Sequence, residues 1–466
     1  MNKTILILSI LLITLGSCKK SFLDRNPYTA VPVATAIKTV DEMSAGVNGL
    51  YASMRVAALY GRTIPIMGDL MADNVYISTQ NSNRYVIQNN YSYTVGTAEP
   101  DGIWGGLYGV IKNANLVINA EIPSSPLTDP TRDQLKGEAL TIRAWAYFDL
   151  ARFFAAPYTV NADAVGVPIV LQFDQNAKPK REKLSAVYAR ILDDLNQAFT
   201  LMTQAKSSAY ITKYVARGLQ ARVYQFMGDW AKARDAALDV VNNGGYSIVS
   251  AANYVAYWRS AAPISTKVET MFELSLDATN NNGTNALAYI YDPAGYGDML
   301  ATTTLYNAYT ATDVRRTFLV PGTRAGQSVF IVNKYANGNS VDKDDVKMMR
   351  YSEIVLILAE AYYRLNDETN ARLYLNMVAT RRDPSFTGYT STGAQLLEDI
   401  LTERRKELAF EGFRYFDFLR LNRVIDRGAQ APAAARTIDL SNYRRIQPIP
   451  QSELDANPTI GQNPGY

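Results

Sequence analysis

Histidine is absent from the 466 residues, which removes Ser-His-Asp triads, Cys-His dyads, H-E-x-x-H zinc sites and imidazole-based pH switches. Catalysis would then fall to carboxylates, lysines or tyrosines. Carboxylate pairs such as Asp69/Asp73 and Asp193/Asp194 could cleave a glycoside only if two carboxyls flank the sugar, about 5–9.5 Å apart. Adjacent Asp193 and Asp194 point about 100° apart on a helix and do not flank one bond. Asp342-Lys-Asp344-Asp345 offers hard oxygen ligands but lacks the glycine and closing glutamate of an EF-hand loop, so it reads as a solvated turn. Gly102, Gly105, Gly106 and Gly109 miss both phosphate-cradling spacings. No catalytic residue, metal or cofactor is therefore expected. In the charge-dense block Glu403 to Arg420, the pairs Glu403/Lys406, Arg404/Glu407 and Asp417/Arg420 sit three apart on a helix, as in a structural ion-pair network.

Binding is better supplied than catalysis. The chain carries 31 Tyr, 15 Phe and 4 Trp, and rings flanked by Asn, Gln or Arg suit sugars, whose C–H faces stack while their hydroxyls need partners. Two clusters have this mixture. The first holds Asn74, Tyr76, Asn81, Asn83, Arg84 and Tyr85; the second holds Tyr289, Tyr291 and Tyr296 with Asn285 and Asp292. The candidate ligand contacts are Asn74, Tyr76, Asn81, Arg84, Tyr85, Tyr289, Tyr291 and Tyr296, with loop packing as the competing reading. Trp104 reads as core, and Trp258, beside Tyr254 and Tyr257, fits either role. A formal net charge of +3 sets up no field for nucleic acid.

The elements that would position these clusters are helical. Val187, Tyr188, Ile191, Leu192, Leu195, Ala198, Phe199 and Met202 follow one helix face after a candidate N-cap, Ser185. Similar periods run through Val40 to Leu59, Leu135 to Phe154, Tyr351 to Leu365 and Leu396 to Leu408. An Ala-x-x-Tyr step recurs at Ala144/Tyr147, Ala221/Tyr224 and Ala359/Tyr362. Between the last two the match extends to Gly228 with Asn366, Ala233 with Ala371 and Val240 with Val378. This spacing is tetratricopeptide-like. The stretches Asn74 to Gly102 and Tyr246 to Ala301, rich in Asn, Tyr, Gly and Thr, read as long surface excursions.

At the start, a basic head precedes an apolar run from Thr4 to Leu15, too short to span a bilayer and of export-signal length. Leu15-Gly16-Ser17-Cys18 resembles a bacterial lipobox. Cys18 is the single cysteine and cannot form an internal disulfide, so its expected role is lipid attachment. The expected division is a signal peptide at 1–17, a lipidated tether at 18–32 and one continuous body at 33–466.

Trp104-Gly-Gly-Leu-Tyr-Gly-Val-Ile-Lys-Asn-Ala-Asn115 and Gly137-Glu-Ala-Leu-Thr-Ile-Arg-Ala-Trp-Ala-Tyr-Phe-Asp-Leu150 resemble segments of the SusD/RagB family of Bacteroidetes outer-membrane lipoproteins. Arg350 to Ala361, Glu403 to Asp417, and Pro448-Ile-Pro450 with Gln462-Asn-Pro-Gly465 agree with it in order. The resemblance implies an all-α-dominated, SusD-like fold with four tetratricopeptide-like helix pairs, long irregular ligand-binding loops and a few short strands. Three pairs are readable directly, and the fourth is expected around Val40 to Leu59. The resemblance further divides the body into an N-terminal SusD-like region, 33–245, and a C-terminal SusD/RagB region, 246–466. It implies a non-enzymatic protein on the outer face of the outer membrane, anchored in lipid through acylated Cys18. Such a protein would bind an oligosaccharide, or a peptide as in RagB-type uptake, and deliver it to a SusC-like TonB-dependent transporter. The rival readings are a surface glycosidase and a helical-repeat adaptor.

Overall fold

A computed structural model describes residues 37–174, 176–203, 208–259, 268–338, 340 and 344–466. The expected signal segment, Cys18 and the tether lie outside the described residues. Among the described residues no helix is long and apolar enough to cross a membrane.

Helix α1 (Val40–Met54) opens on a capping box in which Thr39 and Glu42 bond each other's backbone amides. It buries Met43, Val47, Leu50, Tyr51 and Met54 at helical spacing. There follow α2 (Thr63–Leu70), β1 (Val75–Ile77), α3 (Val86–Asn89), α4 (Ala98–Ile118), α5 (Asp129–Phe154), α6 (Leu184–Leu201), α7 (Lys213–Met227) and α8 (Trp230–Asn243). The second half holds α9 (Ala251–Arg259), β2 (Thr270–Leu274), α10 (Leu287–Tyr291), β3 (Met299–Ala301), α11 (Thr303–Asn307), β4 (Leu319–Arg324), β5 (Gln327–Val332) and β6 (Val346–Arg350). It continues with α12 (Tyr351–Arg364), α13 (Glu368–Arg382), α14 (Gly393–Glu407) and α15 (Arg414–Arg420).

Four helix pairs pack in series: α1 with α4, α5 with α6, α7 with α8, and α12 with α13. The expected fourth pair is thus the first in the chain, formed by the helix that begins at Val40. The internal repeat extends to its turns. Gly228 and Asn366 both adopt left-handed backbone, φ 74° and φ 62°, and the following Asp229 and Asp367 cap α8 and α13 by accepting from the amides of Lys232 and Asn370. Ala233, Ala371, Val240 and Val378 are all fully buried, where small residues let the paired helices approach. Ser185 does not cap α6. That helix starts one residue earlier, and the amides of Leu184 and Ser185 are taken by the carbonyls of Ala164 and Ala162, both at 2.8 Å, so tertiary backbone contacts replace the side-chain cap.

The two excursions are less irregular than their composition implies. They contain α3, α9 and α10, and they meet in one antiparallel sheet of order β1-β3-β5-β4. A second apolar core underlies it, built from Ile66, Leu70, Tyr254, Trp258, Ile290, Tyr291, Phe318 and Phe410 among others. Trp258 therefore faces inward, and Trp104 lies in the main core with its indole N–H donating to Glu453 Oε2 at 3.0 Å.

A buried ion network ties the helix pairs to this second unit. Glu407 receives Arg350 at 2.6 Å, Arg382 at 2.8 Å and Arg315 at 3.0 Å, and Glu269 receives both Arg350 and Arg382. Of the three expected pairs, Glu403/Lys406 and Asp417/Arg420 form. Arg404 bonds Asp417 instead of Glu407, because Glu407 points to arginines that are distant in sequence.

Candidate functional site

The sheet brings the two aromatic clusters to one place. Strand β1 pairs with β3 in the register Val75↔Ala301, Tyr76↔Leu300 and Ile77↔Met299. Beyond β1, residues 78–85 fold back against 296–298. Ser78 N donates to the Asp298 carbonyl at 2.8 Å, Ser82 N to Asp298 Oδ1 at 2.8 Å, and Ser82 Oγ to Asp298 Oδ2 at 2.5 Å. Asp298 is fully buried, so one carboxylate fastens both excursions. The loop tightens further where Asn81 Nδ2 donates to Ser78 O at 2.6 Å and Asn81 Oδ1 accepts from Asn83 N at 2.8 Å.

This arrangement sets Arg84 across the Tyr296 ring, 3.8 Å from its centroid, with Nη2 donating to the Tyr296 hydroxyl at 2.9 Å. Tyr289, on α10, meets Tyr296 edge to face at 5.9 Å. Arg324 reaches in from the end of β4, and its Nη2 donates to Tyr296 O at 2.5 Å and Gln80 O at 3.3 Å. The turn that holds Arg324 uses two left-handed residues, Ala325 and Gly326, with φ 49° and 74°, as a two-residue hairpin between twisted strands requires.

From here a polar ribbon continues across the surface. Arg62 Nε donates to the Tyr85 hydroxyl at 2.8 Å, and Arg62 Nη1 donates to Asn285 Oδ1 at 2.7 Å. Asn282 Nδ2 donates to Arg55 O at 2.8 Å, and Arg55 Nη2 reaches Asn280 Oδ1 at 3.3 Å. Arg55, Arg62, Arg84, Arg324, Tyr289 and Tyr296 are all half-buried, with exposed Asn280 and Asn285 beside them. Rigid rings, amides and guanidinium groups thus share one solvent-facing strip.

Of the residues singled out in sequence, Asn81, Arg84, Tyr289 and Tyr296 come together on this strip. Asn74 is buried, donating to Asp69 at 2.6 Å and accepting from Arg405 at 2.9 Å. Tyr85 is buried beneath the strip with its hydroxyl between Arg62 and Thr63; burial pushes its phenol up, against the pull of Arg62. Tyr291 is fully buried and stacks on Tyr335 at 6.0 Å. Tyr76 is half-buried, and burial likewise raises its phenol, offset by a bond to Gln430. Arg55, Arg62, Arg324, Ser82 and Asp298 carried no local motif. Only their tertiary neighbours reveal them.

The carboxylates are otherwise engaged. Asp69 accepts from Asn74, Phe410 N and Gly412 N, and burial pushes it up to about 6. Asp73 faces Arg414 and Arg405, while Asp194 is clamped by Arg143 and Arg190. Asp345 accepts from Leu276 N and Asp344 from Asn337, while Asp342 lies outside the described residues. Among the described residues no group of three or more His, Cys, Asp or Glu is placed to hold a metal. A separate groove, lined by Met43, Ile122, Pro123, Lys136, Gln197 and Leu201, lies among the helix pairs and has no aromatic lining residue.

The helix pairs and the sheet that joins the excursions have counterparts in known proteins. The profile of the SusD family matches residues 292–466, and a second profile, described as starch-binding associating with outer membrane, matches residues 21–225. The chain is a SusD-like protein. The SusD-like protein P38 of Formosa agariphila is 25% identical over 540 aligned residues, spanning 100% of this chain and 99% of its own length. A SusD superfamily structure from Bacteroides vulgatus superposes with a TM-score of 0.85 at 28% identity, covering 92% of this chain and 100% of its own. Another, from Bacteroides thetaiotaomicron, gives 0.83 at 29% identity, covering 91% and 100%. The helix-dominated SusD-like fold implied by the sequence blocks is the fold observed.

Proposed function

We propose that this SusD-like protein is a surface-exposed lipoprotein that captures an oligomeric glycan on the Arg84–Tyr296–Tyr289 strip and delivers it to a SusC-like TonB-dependent transporter. The observation that carries the reading is the convergence of two sequence-distant loops, fastened by Asp298, into one half-exposed strip of rings, amides and guanidinium groups. Such a surface stacks on the C–H faces of pyranose rings and satisfies their hydroxyls. The description of the profile over residues 21–225, starch-binding and associated with the outer membrane, supports the ligand class and the location.

The role is binding without bond cleavage. Asp298 has both oxygens bonded by Ser82, so this carboxylate serves as a fastening and not as one of two carboxyls flanking a sugar. In this reading Cys18 carries the lipid. Anchoring beside the transporter raises the effective concentration of captured ligand, so modest affinity suffices. Affinity purification of the tagged, full-length lipoprotein from native outer membranes tests the delivery step. Co-elution of a TonB-dependent β-barrel is expected, and recovery without any such barrel would contradict it.

A further inference from the structure

We infer that the captured glycan is acidic, carrying carboxylate or sulfate-ester groups; this deepens the glycan-capture reading and rests on it. The argument comes from how arginines are used in different parts of the molecule. Buried Arg427 and Arg445 bond only carbonyl and amide oxygens, but most other interior guanidinium groups are matched to carboxylates: Arg143 to Asp194, Arg222 to Glu353, Arg315 to Asp313, Arg382 to Glu269 and Arg420 to Glu360. On the strip they are not. Among the described residues, Arg55, Arg62, Arg84 and Arg324 form no ion pair, and their hydrogen-bond partners are neutral: carbonyls of Ser275, Gln80 and Tyr296, amide oxygens of Asn280 and Asn285, and hydroxyls of Tyr85, Ser82 and Tyr296.

Neutral partners orient a guanidinium without cancelling its charge. Arg84 is pinned by the Tyr296 ring, Tyr296 Oη and Ser82 Oγ, and Arg324 by two backbone carbonyls. Both groups are therefore ordered beside Tyr296 before any ligand arrives. The nearby carboxylates bond none of them directly: Asp298 is enclosed with Ser82, and Asp277, which feels the charge of Arg55, is bonded by Thr279 N and Asn280 N of the 277–280 turn. Asp292 Oδ1 accepts from Ala294 N. A planar, preoriented fork of N–H donors beside an aromatic ring matches a uronate carboxylate or a sulfate ester on a stacked sugar better than a hydroxyl. Arg62 and Arg55 continue the positive charge along the strip, as charge repeated along an oligomer would require.

The test uses the full-length lipoprotein in detergent micelles, titrated with two matched pairs. One is oligogalacturonate with its methyl ester; the other is a sulfated galactan oligosaccharide with its desulfated form. The expected result is at least tenfold tighter binding of the charged member of one pair, weakening as salt rises. Arg84→Gln and Arg324→Gln are each expected to remove most of that preference, weakening binding of the charged member of the pair far more than that of its neutral counterpart. Lys232→Gln, on α8 outside the strip, should leave the preference intact. Equal or tighter binding of the neutral members overturns the acidic-ligand inference and leaves glycan capture standing. Binding to none of the four probes, or only to peptides, overturns both.

Discussion

Asp298→Ala isolates the fastening on which the strip depends. The side chain accepts two hydrogen bonds from Ser82, at 2.8 Å from the amide and 2.5 Å from the hydroxyl, and each bond to a charged acceptor contributes about 1.5–3 kcal/mol. Part of that is offset, because the variant no longer buries a carboxylate. Ser82 is half-buried and can turn to water once released. The net loss should be about 2 kcal/mol, and it should fall on closure of the 78–85 loop more than on the helical core. By the relation of about 1.4 kcal/mol per tenfold, closure weakens about 30-fold. Amide hydrogen exchange followed by mass spectrometry reads this directly: peptides over 78–85 and 289–298 should exchange about 30-fold faster, while those over α5 and α12 keep their protection. Asp298→Asn, which retains one acceptor, should give an intermediate effect. Unchanged exchange over 78–85 in Asp298→Ala would refute the claim that this carboxylate joins the excursions.

Other consequences concern the scaffold. Burial pushes Glu138, which accepts from the Tyr51 hydroxyl at 2.6 Å, from an ordinary 4.5 up to about 7. The folded state then holds a proton that the unfolded chain has lost between those values, so this group's contribution to stability falls as pH rises through that window. Glu138→Gln should therefore gain about 2–3 kcal/mol over wild type at pH 8 and almost nothing at pH 4.5, as read by urea unfolding at both pH values. Gly68→Ala would place a Cβ 2.1 Å from the Gly412 carbonyl oxygen, where α2 meets the left-handed Gly412; a loss of about 4 kcal/mol or no folded protein is expected by thermal melting. Glu407→Gln leaves Arg350, Arg382 and Arg315 undercompensated in the interior, with an expected cost of about 3–5 kcal/mol in the same unfolding assay.

The scaffold was more legible in the sequence than the site. Apolar period and small-residue steps report burial directly, so Ala221 and Ala359, with their matching turns at Gly228 and Asn366, identify repeated helix pairs before any coordinates. The fourth pair showed only its helix, since the N-terminal pair lacks the Ala-x-x-Tyr step. At the site, residue type alone does not separate a ring that lies under a loop from one that lies on it. Tyr289 and Tyr291 are two apart on α10, yet one is half-exposed and the other fully buried, because successive side chains on a short helix point to different sides. Asn74 has the composition of a ligand contact but closes a gap between Asp69 and Arg405. Arg324 joins the strip only because β4 pairs with β5, which pairs with the β3 that follows Tyr296. That placement depends on tertiary pairing and leaves no local pattern.

The central claim, that a glycan is captured on this strip, is tested most directly by a crystal structure of the protein soaked with an oligosaccharide that it binds in solution. The account predicts an intact sugar chain in contact with Tyr289 or Tyr296 and hydrogen-bonded by Arg84 or Arg324. Sugar bound instead in the groove lined by Met43, Ile122 and Leu201, or a cleaved product at any site, would contradict it.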